Sequence, residues 1–238
     1  SHSVNTASTY CHNCDYVKIW RIEESKKVIC HEIFHCLGLD FHDFPLNLLQ
    51  HLQSKLNIPV DINILLFESY VETWATIINC ICYANLFKPE IPNTLSRLIQ
   101  KIIEYEICFS NFQTAKILHF FGFKRYQQFF NINGFSKVEL SNQYQQTSCS
   151  LSYYIIKSAL LYNINNFITF CQNNNKPTIF NFNHHKSSCQ KYVTLILESL
   201  NKLQFKQDIN THLELFQKNK ISDPFILKTL RMTSIEYY

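Results

Sequence analysis

Residues 31–35 of this 238-residue chain read His31-Glu32-Ile33-Phe34-His35. For both imidazoles to act together the segment must be helical, because side chains four apart on an α-helix project from one face. Two neutral imidazoles converging in this way suit zinc, a borderline-soft cation that takes nitrogen ligands in tetrahedral geometry. Glu32, one residue round from His31, then points beside the ion. There it can take a proton from a metal-activated water and later deliver it to a leaving amine. The chemistry expected of such a constellation is metal-assisted amide hydrolysis.

The flanking residues agree with a helix. Ile22, Ile29, Ile33, Phe34 and Leu37 recur at near-helical spacing, and Glu23 and Glu24 fall in what would be the first turn. Gly38 reads as the C-terminal stop. Before the helix, Tyr16-Val17-Lys18-Ile19-Trp20-Arg21 alternates in β-prone residues and predicts a strand leading straight into it.

Two histidines leave a catalytic zinc one protein ligand short, and the downstream candidates are His42, Glu68 and Glu72. In the stretch Leu65 to Ala75, an apolar helical pattern that runs on through Ile77, Ile78 and Ile81, Glu68 and Glu72 share a face. Two buried carboxylates one turn apart repel unless a cation holds them, so the natural division is one ligand and one orienter. The residues alone leave open which is which.

Three resemblances bear on this choice. The metzincin pattern His-Glu-x-x-His-x-x-Gly-x-x-His is matched as far as Gly38, but its last position is Phe41 and the histidine stands one residue later, at His42. The order of His31-Glu32-x-x-His35 followed by Glu68-x-x-x-Glu72-x-Trp74-Ala75 resembles the gluzincins, the thermolysin-like branch of zinc peptidases, and the compact metallopeptidases that cleave phage-type repressors. This resemblance implies Glu68 as ligand, with Glu72 accepting a hydrogen bond from the non-ligating nitrogen of His31. The run Glu72-Thr73-Trp74-Ala75 is also similar to gluzincins in which those roles are exchanged. With Trp20-Arg21-x-Glu23-Glu24-x-x-Lys27-Val28 and Leu37-Gly38-Leu39-Asp40-Phe41 added, residues 16–80 look like metallopeptidases encoded by large nucleocytoplasmic DNA viruses. The implied product is a single zincin-like domain: a catalytic lobe over about 1–90 with a short N-terminal β element, and a helical lobe over about 91–238.

Three glycines and six prolines in the whole chain fit a mainly α fold with some β, α+β in class. The formal charge of +4 is modest and no dense Lys/Arg run occurs, so nucleic acid is not expected as a partner; a peptide or protein substrate is. No uninterrupted apolar run is long enough to span a membrane, and no signal region opens the chain. It starts at Ser1 with no methionine before Met232, from which a removed upstream segment is expected. Ten cysteines lack regular spacing, six of them in apolar stretches, which predicts small buried hydrophobes in a reducing intracellular compartment, host cytoplasm or virion, rather than a secreted disulfide framework. Cys11-His12-Asn13-Cys14 is the one pair at metal spacing, and reads as a polar loop.

Further along, helices are predicted over 46–57, 62–86, 94–109 and 111–121, a mobile polar loop over 131–150, a helix from Ser152, an Asn-rich interruption over 163–175, and helices over 192–203 and 212–218. Tyr153 or Tyr154, opening a helix after the polar loop, is the candidate donor to an oxyanion on the scissile carbonyl. His184-His185 reads as exposed. The alternative to an enzyme is a catalytically inactive zincin-fold virion or interaction protein in which zinc only supplies folding energy.

Overall fold

The computed structural model describes residues 7–10, 13–59, 61–87, 92–130, 144–146 and 148–236, and the fold is mainly helical. The N-terminal β element is an antiparallel hairpin of β1 (Ala7–Tyr10) and β2 (Asn13–Ile19), with Ala7 opposite Ile19 and a register shift at Thr9/Tyr10. A 3₁₀ turn, Ile22–Glu24, joins β2 to α1 (Ser25–Cys36). Next come α2 (Leu46–Gln53) and α3 (Leu66–Leu86), followed by α4 (Pro92–Phe120) and the short α5 (Tyr126–Phe129). A π-helical turn, Leu151–Ile156, runs into α6 (Lys157–Tyr162), and α7 (Ile164–Asn174), α8 (Lys186–Asn201), α9 (Leu203–Gln217) and α10 (Pro224–Lys228) complete the chain.

α3 is the central helix. It is buried almost all round, as expected of a helix surrounded by others rather than lying on a surface. α1 packs along it on one side, and α4, α6 and the π turn pack against it elsewhere. One apolar cluster runs through all of these, from Phe34 and Phe41 through Tyr70, Trp74 and Leu118 to Tyr192, Leu213 and Met232.

α1 is amphipathic in an unexpected sense. Its buried face, with the turn before it, is Glu24, Lys27, Val28, His31, Phe34 and His35, a helical stripe rich in charge. The isoleucines that signalled the helix face outward instead: Ile22 is 86 % exposed, Ile29 42 % and Ile33 41 %, and Leu37 is exposed as well. Burying a charged stripe while exposing an apolar one is costly unless the buried charges pair or bind a cation.

Three expectations need correction. The predicted break between 109 and 111 is absent, because Ser110 and Asn111 are buried polar residues inside a continuous α4, where Asn111 accepts the Ser158 hydroxyl at 2.7 Å. The Asn-rich stretch folds as α7, because Phe167, Phe170 and Cys171 fall on one face and bury together, leaving Asn165, Asn166 and Asn173 exposed, while Asn163 and Asn175 at its ends are buried and hydrogen-bonded. At the end of the polar run the described residues are packed: fully buried Tyr144 bonds Ser150 at 3.0 Å and Gln146 accepts the Leu151 amide at 3.0 Å. Residues 131–143, Cys11, His12 and the side chain of Cys14 lie outside the described residues.

Seven described cysteines carry free thiols, of which Cys80, Cys171 and Cys189 are buried; Cys36 is disulfide-bonded, against the expectation of small reduced hydrophobes. Among the described residues no helix is long and apolar enough to cross a membrane.

Candidate metal centre

His31 and His35 project from the inner face of α1 toward α3, one turn apart, their rings 4.7 Å between centroids. Their ε nitrogens lie 3.0 Å from each other. From α3, Glu68 brings one oxygen, Oε2, to 3.2 Å from the first nitrogen and 3.4 Å from the second. These three atoms form a nearly equilateral triangle. Zinc–ligand bonds of about 2.0–2.1 Å in tetrahedral geometry require ligand atoms about 3.3 Å apart, so the triangle has the size of one face of a zinc tetrahedron. Among the described residues, His31, His35 and Glu68 are the one group of three such side chains brought together in this way.

The outward nitrogens decide what the inward ones are. His31 Nδ1 faces Glu72 Oε2 at 3.3 Å, and His35 Nδ1 faces Asp40 Oδ2 at 2.8 Å. A neutral imidazole whose Nδ1–H donates to a carboxylate presents a lone pair at Nε2. Two lone pairs at 3.0 Å, with a carboxylate oxygen against both, repel unless a cation lies among them. Glu68 Oε2 is itself buried with no aligned hydrogen-bond donor. Without a metal the cation is a proton. Burial alone would lower the His35 pKa, but the hydrogen bond to Asp40 and the nearby Glu68 outweigh it and raise it to about 10. His31 is raised despite its burial by Glu68 and Glu72. Glu68 is held well below the ordinary carboxylate range, the two imidazoles overriding its burial.

Each orienting carboxylate is fixed in turn. α1 ends in a Schellman motif, with Leu39 N–H donating to Phe34 O at 3.0 Å and Gly38 N–H to His35 O at 3.1 Å. Gly38 sits at φ 63°, a conformation costly for any residue with a Cβ. This turn brings Asp40 back beside His35 two residues later. Glu72 is fully buried and ion-pairs with Lys27 from α1, itself buried. Burial would raise the Glu72 pKa, but Lys27 and then His31 bring it down to about 2, so it stays ionised.

Glu32 is buried, yet its carboxylate has no hydrogen-bond or ion-pair partner among the described residues. Burial raises its pKa, with His31 and His35 pulling the other way. A carboxylate with a raised pKa and no fixed partner can accept a proton.

The chain matches no protein-family model, no curated protein and no solved structure. The chemistry of the site therefore stands on its own geometry.

Of the remaining candidates, Tyr153 lies at the site. Its ring centroid is 6.0 Å from that of His31, and burial followed by the charge of Glu68 holds its phenol far above the usual range, so it remains a donor. The π turn sets Tyr153 and Tyr154 on different sides. The Tyr154 hydroxyl is buried without a hydrogen-bond partner; burial raises its pKa first, and of the charges acting on it Glu24 and Arg21 come ahead of Glu72. His42 is exposed on Phe67, at 5.6 Å between rings, and outside the ligand triangle. His184 and His185 are exposed.

Two residues of the centre escaped sequence reasoning as functional groups. Asp40 is an acidic residue inside the apolar run Leu37 to Phe41, five positions after His35, and that mismatch was its signal. Lys27 is four residues before His31, hence on the ligand face of the same helix.

Proposed function

We propose that this chain is a zinc-dependent metallopeptidase of gluzincin type, in which α1 and α3 are the metal-bearing helices of a zincin-like lobe. The observation that carries this reading is the triangle of His31 Nε2, His35 Nε2 and Glu68 Oε2, with edges of 3.0, 3.2 and 3.4 Å and both Nδ1 atoms turned onto carboxylates. Bound zinc would supply Lewis acidity, which acidifies water and polarises a carbonyl. Glu32 takes the proton of the attacking water and passes it to the departing amine. Tyr153 donates its hydroxyl to the developing oxyanion. Glu72 and Asp40 keep both imidazoles in the Nδ1–H tautomer throughout. Peptide or protein is the substrate, and the seven free thiols support an intracellular setting, with Cys36 as the exception.

Incubating zinc-loaded protein with a peptide library and reading new termini by mass spectrometry tests the activity. Glu32→Gln should retain zinc and lose about 10²- to 10⁴-fold in cleavage rate. Cleavage that survives Glu32→Gln unchanged would sink the mechanism.

A second reading, a catalytically inactive zincin fold with a structural zinc, is favoured by one observation: the ligand side chains are only 9 to 13 % exposed. Stoichiometric zinc with no cleavage of any library member by the wild type would select it.

A further inference from the structure

Residues 230–236 form an irregular segment that is anchored in the interior by buried acidic and basic side chains. The Met232 amide donates to Glu24 Oε1 at 2.7 Å, and its carbonyl accepts from Lys157 Nζ at 3.0 Å. Its sulfur lies 3.9 Å from Lys27 Nζ. Glu106, on α4, holds the next two residues, accepting the Thr233 hydroxyl at 3.1 Å, the Ser234 amide at 2.9 Å and the Ser234 hydroxyl at 2.6 Å. Arg231 pairs with Glu23, Glu24 and Glu236, and Arg21 donates to the Leu230 carbonyl at 2.6 Å. Glu24, Lys27, Glu106 and Lys157 are each about 1 % exposed.

These are the wrong groups for ordinary packing. A buried ammonium or carboxylate is tolerated only while its partners remain in place, and four of them meet one short stretch of chain. That stretch is reached through residues 222–228, all exposed, which are held where Lys116 donates to the Ile226 and Thr229 carbonyls. One of the four groups also belongs to the candidate metal centre. Lys27 touches Met232 with the same nitrogen that pairs with Glu72, and Glu72 orients His31. Lys157, which caps the Met232 carbonyl, acts on the Glu72 charge as well.

We propose that the 230–236 segment is a strap that positions the metal centre through Lys27, so that strap docking and metal binding reinforce one another. This rests on the metallopeptidase reading only for the site itself. When the strap leaves, water reaches Lys27 and Lys157, the Lys27–Glu72 pair is screened, and His31 loses its fixed tautomer and direction. Reciprocity follows from linkage: whatever strap release costs in metal affinity, metal removal costs in strap docking.

Two measurements on the full chain test this. In the first, backbone hydrogen exchange of the peptide containing Met232 and Ser234 is followed with and without zinc, with α9 peptides as the remote reference. Zinc should slow exchange through local opening of the strap by about the same factor that strap release costs in metal affinity, while α9 reports the separate global stabilisation by zinc; a merely structural strap would show no zinc-dependent change in local opening. In the second, zinc affinity is measured by chelator competition in Ser234→Pro, which removes the amide and the hydroxyl bonded to Glu106 without touching the centre, and in Glu106→Gln as a milder variant. Affinity should fall about 3- to 10-fold, less than the 10- to 100-fold of a partner that bonds the ligand directly. Unchanged affinity in a variant whose strap amides exchange freely overturns the coupling and leaves the metal site standing. Failure of the wild type to bind zinc at all overturns both.

Discussion

At the scale of single residues, the proposed centre depends on each imidazole being committed at one nitrogen, which leaves the other for a metal. Asp40 makes the shorter of the two orienting bonds, 2.8 Å to His35. Asp40→Ala should therefore weaken zinc binding about 10- to 100-fold by chelator competition while leaving Glu32 in place. The same carboxylates dictate the pH response. In the metal-free protein the His35 pKa rises from 6.5 to about 10, so the stabilisation from its protonated form is complete below about 6.5 and is lost as pH rises through 10. Zinc must displace that proton, so its affinity climbs across the same window. Melting curves of metal-free and zinc-loaded protein from pH 6.5 to 10 should diverge. Curves that stay parallel would show that no histidine proton is exchanged for metal.

Single elements explain why parts of the reading from sequence failed. Ile22, Ile29 and Ile33 correctly signalled a helix at α1 but face outward, because the inner face is reserved for His31, His35, Lys27 and Glu24. Periodicity detects that a stripe exists and is blind to which stripe the rest of the protein covers. Substituting Ile29→Lys should thus change stability by less than about 1 kcal/mol, whereas Phe34→Ala should cost about 3–5 kcal/mol, both read from urea denaturation. An Ile29→Lys as damaging as Phe34→Ala would mean that the outer stripe is covered in solution. Gly38 was legible because a helix stop needs positive φ, and it proved to be the turn that returns Asp40 to His35. Gly38→Ala should cost about 1–2 kcal/mol in stability and reduce zinc affinity with it. In α7, asparagine content concealed a helix that Phe167, Phe170 and Cys171 hold by burial, since packing of one apolar face overrides weak intrinsic propensity.

At the scale of the whole molecule, a metal held by the His31, His35 and Glu68 triangle would join α1 to α3, two elements of the same apolar core. Zinc that binds the folded chain and not the unfolded one stabilises it by about 2.7 kcal/mol at a hundredfold excess over Kd. For a chain of this length that corresponds to about 5–10 °C in Tm, so chelation should lower Tm by that amount in the wild type and by little in His31→Ala. Equal Tm values for the wild type with and without chelator would show that the triangle holds no metal at neutral pH.

The sequence by itself determined the local facts: that His31 and His35 share a helical face, that Gly38 ends the helix, and that Glu68 and Glu72 stand one turn apart on a second helix. Each follows from helical repeat or from the steric freedom of glycine, which act within a few residues. Only the tertiary structure decided which carboxylate stands where. The register of α1 against α3 sets Glu68 opposite the two ε nitrogens and Glu72 opposite His31 Nδ1 and Lys27. A slide of α3 by one helical turn, about 5.4 Å, would carry Glu72 to the place of Glu68 and take Glu68 out of reach. That register depends on packing among residues far apart in the chain, including a strap more than two hundred residues after α1 begins, and no local pattern carries it.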